Sequence, residues 1–230
     1  MLDGKRLTFG FEGVWQGTAI LYDRDTGSIW MHFTGACFAG PRAGRTLKML
    51  ATGTHTTWAA WRRDHPDTDV MAVDPRFVSR YVDRVAAKSG AGFLPIRFDQ
   101  TITSRDPRLP LSELLLGVRV EREARAYPLA RLAATAGVVE ETIALVPVTV
   151  WYEARTRTAV AFDARLDGRV RTFERRQAGI FEHDTGSRFD ADGRCVDGPL
   201  LGRRLVRLPS LLTEWYGWFA HHPETSIFGS

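Results

Sequence analysis

The sequence predicts a mainly β protein with a few short helices, of the α+β class, in which two β-rich units are related by a pseudo-twofold axis. Three observations predict this. Short runs of β-branched and aromatic residues alternate with glycine-containing turns through most of the chain. Helical periodicity is confined to brief stretches that end near Pro or Gly. Finally, nearly the same sequence occurs near both ends of the chain.

The repeat is the most specific of these observations. Asp-Thr-Gly-Ser at 25–28 recurs at 184–187, and the glycine-rich stretch 35–47 recurs at 193–205. Five further positions agree downstream: Trp58, Trp61, His65, Pro66 and Thr68 match Trp215, Trp218, His222, Pro223 and Thr225. The match therefore continues into the segment that follows the glycine-rich stretch.

The offset between the two copies is nearly constant. It is 164 residues between Leu2 and Leu166 and 157 between Trp58 and Trp215, so short loops account for every gap. We therefore expect residues 2–71 to superpose on 166–228. This divides the chain into a partial first unit at 1–71, a connector at 72–105 and a complete second unit at 106–230, which together form one compact structure.

Composition bounds the class of protein. The 230 residues are 44% hydrophobic and 25% charged, as is ordinary for a soluble globular protein. No apolar run approaches the roughly 20 residues that span a membrane, and the start lacks the apolar core of a secretory signal, so we expect a cytoplasmic protein. The net charge of +4 is spread among interspersed acidic residues, which argues against a nucleic-acid partner.

The first unit begins with strands and tight turns. Leu7–Phe9 and Ala19–Tyr22 are short β-type runs, and a hairpin turn at Asp23–Gly27 leads into Ser28–His32, with Gly27 supplying a positive φ. We expect Asp25 to accept backbone hydrogen bonds within this turn. Two Asp-Thr-Gly copies also raise the alternative of an aspartic-protease-like carboxylate pair, but that motif belongs to much longer chains with apolar flanks.

The two cysteines, Cys37 and Cys195, occupy matching positions in the repeat. No CxxC motif accompanies them. Two outcomes remain open: each is a separately buried small hydrophobe, or the two approach each other near the pseudo-twofold axis and pair. The sequence favours the first.

A short helix follows the glycine-rich stretch in each copy. Trp58, Trp61 and His65 lie at i, i+3 and i+7, with Thr56 or Thr57 as the N-cap and Pro66 ending the helix. We expect Trp61 and its counterpart Trp218 to be buried core anchors, since tryptophans on one face of a helix most often are. His65 and His222 are predicted as C-terminal caps that favour the helix dipole.

The connector has no counterpart elsewhere in the chain. Asp74–Lys88 has a helical pattern with one apolar face, formed by Phe77, Tyr81, Val82 and Val85. Ser89–Gly92 breaks it, and Phe93–Phe98 is predicted to be extended. We expect the connector to cover the sheet edge that a partial first unit leaves exposed, with homodimerisation as the alternative, so the chain is a monomer or a homodimer.

The second unit begins with a hairpin, Leu115–Val120 and Ala124–Leu129, followed by a short helix within 129–137. Leu145–Tyr152 is predicted to be a buried strand, and Ala159–Phe162 another. The loop between them is Glu153–Thr158. This loop lies in the part of the second unit that has no copy in the first.

Several motifs together carry a resemblance to a known family. They are Gly117-Val118, Glu123-Ala-Arg-Ala-Tyr-Pro-Leu129, Thr158-Ala-Val-Ala-Phe-Asp163, Leu166-Asp-Gly168, Asp184-Thr-Gly-Ser187, Gly198-Pro-Leu-Leu-Gly202 and Trp218 with His222-Pro223. In order and spacing they resemble the prokaryotic domain of unknown function 3179 family, over residues 2–71 and about 106–228. The resemblance implies a protein of two related units and brings no assigned activity.

Two departures from the family bear on function. The resemblance implies a Cys-Pro-Leu-Cys element and a His-Glu pair, but here the cysteine positions are Glu153 and Thr156, and the His-Glu positions are Ala136 and Gly137. In the first unit, the matching Cys-Pro-Leu-Cys and His-Glu positions would fall before Leu2. We expect that either the start is truncated or this unit is reduced. We therefore expect no metal site and find no cofactor motif.

Two classes of function follow. The first is a non-catalytic β module that binds a small molecule or a partner between its units, as the absence of a Ser elbow, an HExxH motif and a phosphate loop favours. The second is an enzyme that uses the unrepeated loop, with metal or thiol chemistry as one route. The candidate catalytic residues are Glu153, Arg155, Arg157, Cys195 and His183, and the candidate ligand-binding residues are Trp151 and Tyr152.

Overall fold

The computed structural model describes residues 2–48, 53–77, 92 and 94–230, which form small, mostly antiparallel sheets joined by short helices. The protein is mainly β, which confirms the predicted fold class. Among the described residues, none of the helices has the length and hydropathy that a membrane crossing needs.

The N-terminal sheet is an antiparallel meander. Its strands are β1 (Phe9–Trp15), β2 (Thr18–Asp23), β3 (Ile29–Met31) and β4 (Cys37–Ala39). The predicted hairpin is confirmed: Gly27 has a φ of 67°, and the Asp23 amide donates to the Ser28 carbonyl oxygen at 2.9 Å. The glycine takes the left-handed conformation that closes the turn.

The carboxylate that holds this turn is Asp23, so the prediction for Asp25 is wrong. Asp23 is fully buried, and its side chain accepts from the Thr26 amide at 2.8 Å and from the Trp30 indole at 2.9 Å. Burial alone would raise the pKa of Asp23, but these hydrogen bonds and that from Arg42 lower it. Asp25 points outward and pairs with Lys5 at 2.9 Å.

Short helical segments follow. They are α1 (Trp58–Asp64), a 3-10 turn (Pro75–Phe77) and α2 (Ile96–Asp99). Thr57 caps α1 as predicted, accepting from the Ala60 amide at 3.3 Å. Of the helix predicted at 74–88, residues 78–88 lie outside the described residues, and with them Tyr81, Val82 and Val85.

The extended structure predicted for Phe93–Phe98 is wrong from Ile96 onward, and Phe93 lies outside the described residues. Pro95 precedes α2, and its carbonyl accepts from the amides of Phe98 and Asp99 at 2.8 and 3.0 Å. A helical turn satisfies these backbone groups within the segment itself. The sequence pattern alone did not distinguish this from a strand.

The rest of the chain alternates strands with two more helices. In chain order these are β5 (Leu114–Val120), β6 (Glu123–Pro128), α3 (Leu129–Leu132), β7 (Val138–Ile143), β8 (Val146–Glu153), β9 (Thr158–Asp163), β10 (Arg165–Leu166), β11 (Arg169–Val170), β12 (Phe173–Arg176), β13 (Gly179–Glu182), β14 (Arg188–Phe189), β15 (Cys195–Asp197), β16 (Val206–Arg207), β17 (Ser210–Glu214), α4 (Trp215–His221) and β18 (Ser226–Ile227). The predicted β5–β6 hairpin, the helix that follows it and the strands β8 and β9 are confirmed.

Apart from a two-stranded ribbon formed by β10 and β11, these strands form three four-stranded sheets stacked in layers. The central sheet has the order β16-β9-β8-β7, the outer sheet β17-β5-β6-β18, and the C-terminal meander β12-β13-β14-β15. One face of the central sheet packs on the outer sheet around Tyr127, Val150 and Ala161. Its other face packs on the C-terminal meander around Trp151 and Phe162.

Helix α4 covers the far face of the outer sheet. Trp215 and Trp218 are buried there, together with Leu115 and with Phe33 from the N-terminal sheet. A Cβ atom added to Gly117 would lie 2.2 Å from the Trp218 ring, so the glycine admits the indole. The prediction that Trp218 is a core anchor is thus confirmed.

The two repeated segments share local structure. Each meander places a buried acid, Asp23 or Glu182, before the Thr-Gly-Ser turn, where it accepts the amide hydrogen of Thr26 or Thr185 at 2.8 Å. In each, a buried serine hydroxyl accepts a backbone amide from the glycine-rich stretch at 3.1 Å. Trp58 and Trp215 each begin a helix of seven residues. The pseudo-twofold relation between the units stays a prediction.

The cysteines are separate and buried. Cys37 and Cys195 are both free thiols, and each donates to a backbone carbonyl two residues ahead, Ala39 or Asp197, at 3.4 and 3.2 Å. Of the two alternatives, the structure supports that of small buried hydrophobes.

Candidate functional site

A cavity of about 460 Å³ opens between α1 and the second half of the chain. Its walls are α1, the β8–β9 turn, the β12–β13 hairpin and the turn between β14 and β15. We call it the Trp61 cavity, after the tryptophan that α1 contributes to it.

The segment before α1 is held against the central sheet by side chains far away in sequence. Thr158 at the start of β9 donates to the Thr56 hydroxyl at 2.9 Å, and Arg207 of β16 donates to the Thr54 hydroxyl at 2.8 Å. These contacts place α1 beside the β8–β9 turn. The helix therefore forms one wall of the cavity.

Trp61 is only partly buried, so its prediction as a core anchor is wrong. Its indole donates to Thr68 at 2.8 Å, and its ring lies 4.1 Å from that of His65, which caps the helix as predicted. Across the cavity, His65 Nε2 lies 3.5 Å from Asp192 Oδ2. Trp61 thus presents a ring face to the cavity instead of filling the core.

Trp151 belongs both to the cavity lining and to the core between the central sheet and the C-terminal meander, as do Val160, Ile180 and Phe189. Trp151 is 2% exposed, and its ring lies 4.6 Å from that of Phe162 and 5.3 Å from that of Phe173. Because side chains alternate along a strand, Tyr152 points to the opposite face and belongs to the core with the outer sheet. Of these two ligand-binding candidates, only Trp151 lines the cavity.

Glu153 organises two arginines at the cavity wall. One of its carboxylate oxygens accepts from Arg175 Nη1 at 3.0 Å, and the other accepts from the backbone amide of Arg155 at 3.2 Å. Arg175 is partly buried against Gly137, where an added Cβ would lie 2.5 Å from its Nε. Burial lowers the pKa of Arg175, and the nearby Glu153 only partly offsets this.

We call the contact of α1 with the turn between β14 and β15 the α1 joint. The corresponding contact of helix α4 with the N-terminal sheet, the α4 joint, is filled by aromatic side chains. Helix α4 meets the turn of the N-terminal sheet, where the His221 ring stacks on Phe33 at 4.6 Å and His221 Nε2 lies 3.2 Å from Thr18 Oγ1. The Tyr216 ring lies against Gly17, since a Cβ there would approach it to 2.4 Å. Aromatic rings therefore occupy the space between helix and turn at this α4 joint.

At the α1 joint, smaller or charged residues stand at the same positions of the repeat. Ala59 and Asp64 occupy the helix positions of Tyr216 and His221. The turn that carries His32 and Phe33 in the N-terminal sheet is Ala191-Asp192 here, one residue shorter, as the closing hydrogen bonds from Gly35 to Met31 and from Gly193 to Asp190 show. The loss of this aromatic volume leaves the Trp61 cavity open.

The structure brings together only some of the candidate catalytic residues. Glu153 and Arg155 line the Trp61 cavity. Arg157 stands in the same turn with a φ of 52° but outside the lining. Cys195 is fully buried beneath the C-terminal meander, and His183 is exposed, 3.7 Å from Asp184, so neither belongs to the cavity.

Several lining residues were not predicted from the sequence as site residues: Trp61, His65, Arg175, Asp190 and Asp192. A signal for Asp190 and Asp192 was present in the repeat, since their turn differs in size and charge from the matching turn of the N-terminal sheet, whereas Trp61 and His65 are the same in both copies. In the described part of the chain, no group of three or more His, Cys, Asp or Glu residues is placed to hold a metal ion.

A family model described as Protein of unknown function (DUF3179) matches residues 1–225 of the 230. The chain belongs to this family. No curated protein and no solved structure matches the chain significantly. The two positions at which the family resemblance implies cysteines, Glu153 and Thr156, both line the Trp61 cavity. The second departure, at Gly137, adjoins Arg175.

Proposed function

We propose that this protein binds a small polar molecule in the Trp61 cavity. The observation that carries the proposal is that two joints of the same build differ in one respect: the α4 joint is filled by Phe33, Tyr216 and His221, and the α1 joint is open. Its volume of about 460 Å³ lies within the range of small-molecule sites, about 300–1,000 Å³.

The lining favours a ligand with both a flat or apolar part and polar groups. The partly buried Trp61 ring offers a stacking surface, and Trp151 offers an apolar floor. The Glu153–Arg175 pair and Asp192 provide charged hydrogen-bonding groups around them. A few oriented polar groups on an apolar surface are typical of binding sites.

Binding is tested by filling the cavity. A panel of sugars, amino acids, nucleotides and organic acids is screened by thermal shift and tryptophan fluorescence on the wild type and on Ala191→Phe, which introduces at this turn the aromatic ring that the α4 joint carries. A true ligand at about 100 times its Kd stabilises the wild type by about 2.7 kcal/mol. We expect Ala191→Phe to abolish this response while remaining folded.

The matched control is Ala134→Phe, at an exposed alanine outside the cavity, which should respond as the wild type does. A wild type that responds to no compound in the panel would contradict the proposal. So would a response that survives in Ala191→Phe.

One observation favours an enzyme as the second candidate. His65 lies beside Asp192 within the lining, and an imidazole oriented by a carboxylate is an arrangement that general acid–base catalysis uses. Glu153 and Arg155 would then position the substrate. The thiol route has no such support, because Cys195 lies outside the cavity lining. Turnover of a bound compound that is lost in His65→Gln, with binding retained, would establish this alternative.

A further inference from the structure

We propose that the ligand of the Trp61 cavity is an anion, whose carboxylate or phosphate group binds to the guanidinium groups of Arg155 and Arg175. The inference rests on the proposed function and adds the chemical class of the ligand. The supporting observation is that some charged groups of the lining already have partners within the protein, whereas others do not.

The carboxylates of the lining are engaged within the protein. Asp64 is bound by Arg63 at 2.7 Å, and Glu153 accepts from Arg175 and from the Arg155 amide. A further pair of acids lies in the turn after β14: Asp190 accepts the backbone amides of Asp192 and Arg194 at 3.0 and 2.9 Å, and Asp192 faces His65. A cationic ligand would have to compete with these partners.

The guanidinium groups are less completely engaged. Across residues 2–48, 53–77, 92 and 94–230, the Arg155 side chain has no hydrogen-bond or ion-pair partner, and Arg175 uses only Nη1. The Nε of Arg175 is buried without a partner. A guanidinium group that has lost water and made one bond in exchange is costly. The Nε lies against Gly137, so Nη2 is the donor at which an anion offsets part of that cost.

Glu153 brings the two arginines to one place. The Arg155 amide and Arg175 Nη1 bind the two oxygens of the same carboxylate, although one arginine belongs to the β8–β9 turn and the other to β12. The planar fork of Arg suits the oxygens of carboxylate and phosphate. Glu153 therefore acts as a positioning residue that fixes Arg175 at the wall.

The chain supplies matched controls for both arginines. Arg176 follows Arg175 in β12 but lies outside the cavity lining, where it pairs with Glu174 and lies over the Phe181 ring. Arg157 stands in the same turn as Arg155, also outside the lining. The four single Arg→Gln variants thus remove the same charge at neighbouring positions, inside and outside the cavity.

The test titrates phosphate, succinate and glucose 6-phosphate as anions, and glucose as a neutral counterpart, at fixed ionic strength with tryptophan fluorescence as the readout. We expect at least one anion to bind the wild type, Arg157→Gln and Arg176→Gln alike. Its Kd should rise about tenfold or more in Arg155→Gln and in Arg175→Gln, since a charge-assisted hydrogen bond is lost. Comparing the Kd of phosphate with that of succinate shows whether the site prefers a phosphate group or a carboxylate.

The failures are separable. Binding of glucose without binding of any anion would overturn the inference and leave the proposed function standing. An anion that binds all four variants with equal Kd would also overturn it. If none of the four compounds binds, the inference is overturned, and the proposed function is then decided by the wider panel of sugars, amino acids, nucleotides and organic acids. Arg155 is exposed, so Arg155→Gln stays interpretable even if Arg175→Gln fails to fold.

Discussion

At the scale of single residues, Trp61 and Trp218 occupy matching positions of the repeat but differ in how deeply they are buried. Both occupy the fourth position of a seven-residue helix, and both donate to a threonine seven residues ahead, Thr68 or Thr225, at 2.8 and 2.9 Å. Trp218 is 3% exposed, whereas Trp61 is only partly buried. The sequence predicted the shared helix position but neither the hydrogen bond to threonine nor the difference in burial.

We expect truncation to separate the two. Trp218→Ala should cost roughly 3–5 kcal/mol of unfolding free energy, because a large buried ring leaves a cavity over Gly117. Trp61→Ala should cost only about 1 kcal/mol, because its ring already borders open space. Urea denaturation measures both. Equal costs would mean that Trp61 carries core packing that its exposure does not suggest.

At the scale of elements, α4 carries two histidines whose charge state is set by packing. Burial lowers the pKa of His221 to about 4, and the nearby His222 and His32 lower it further in the same direction. Burial, with Arg119 nearby, lowers the pKa of His222 to about 4. His222 caps the helix as predicted, but it is neutral at pH 7, so the predicted charge interaction with the helix dipole is wrong.

This gives a pH dependence with a defined sign. Both pKa values are lowered from 6.5, so the unfolded chain binds more protons than the folded chain between about pH 6.5 and 4. Stability is full above pH 6.5 and falls as pH decreases, by at most about 1.4 kcal/mol per pH unit for each histidine. Urea denaturation at pH 7, 6 and 5 measures the slope.

The double variant His221→Gln, His222→Gln should lose most of that slope, and His183→Gln, at an exposed histidine, should keep it. A wild type equally stable at pH 7 and 5 would show that the α4 joint admits water to both rings.

At the scale of the whole molecule, local sequence patterns predicted the fold class, the hairpins β2–β3 and β5–β6 and the strands β8 and β9, but not strands such as β7, β12 and β13. They did not predict that α1 lies on the second half of the chain, because the contacts that place it join residues about a hundred positions apart, such as Thr56 and Thr158. Periodicity reports which face of an element is apolar, not which distant element covers it. The Trp61 cavity exists only through that long-range placement, so the sequence could name Trp151, Glu153 and Arg155 but not their neighbours on α1.

The oligomeric state that we expect depends on which segment covers the N-terminal sheet. Strand β1 is an edge strand with Phe11 65% and Trp15 45% exposed. The described end of the connector binds the β1–β2 turn: the Gln16 amide donates to the Thr101 carbonyl at 3.2 Å, and the Gln16 side chain bonds Thr103. These hydrogen bonds support the prediction that the connector covers the first unit, which stays a prediction.

We expect a monomer at micromolar concentration, measured by light scattering coupled to size exclusion. Replacing residues 72–105 with a flexible Gly-Ser linker of equal length should cause self-association, because the hydrogen bonds that join Thr101 and Thr103 to Gln16 would be lost and the β1–β2 turn would be uncovered next to the exposed edge of β1. A stable dimer of the unaltered chain would instead support the alternative of homodimerisation.

The filled α4 joint and the open α1 joint have different roles in one chain: the first contributes core packing, and the second borders the cavity. Cohesion between the N-terminal sheet and the outer sheet is carried by Phe33, Trp215 and Trp218, none of which lines the Trp61 cavity. Substitutions of the polar and exposed lining residues, such as Arg155, can therefore accumulate without drawing on the marginal stability that limits most sequence change, whereas Trp151 belongs to the core. Family members are free to diverge in what they recognise while keeping one scaffold, and this variability should be greatest at the α1 joint and least at its filled counterpart.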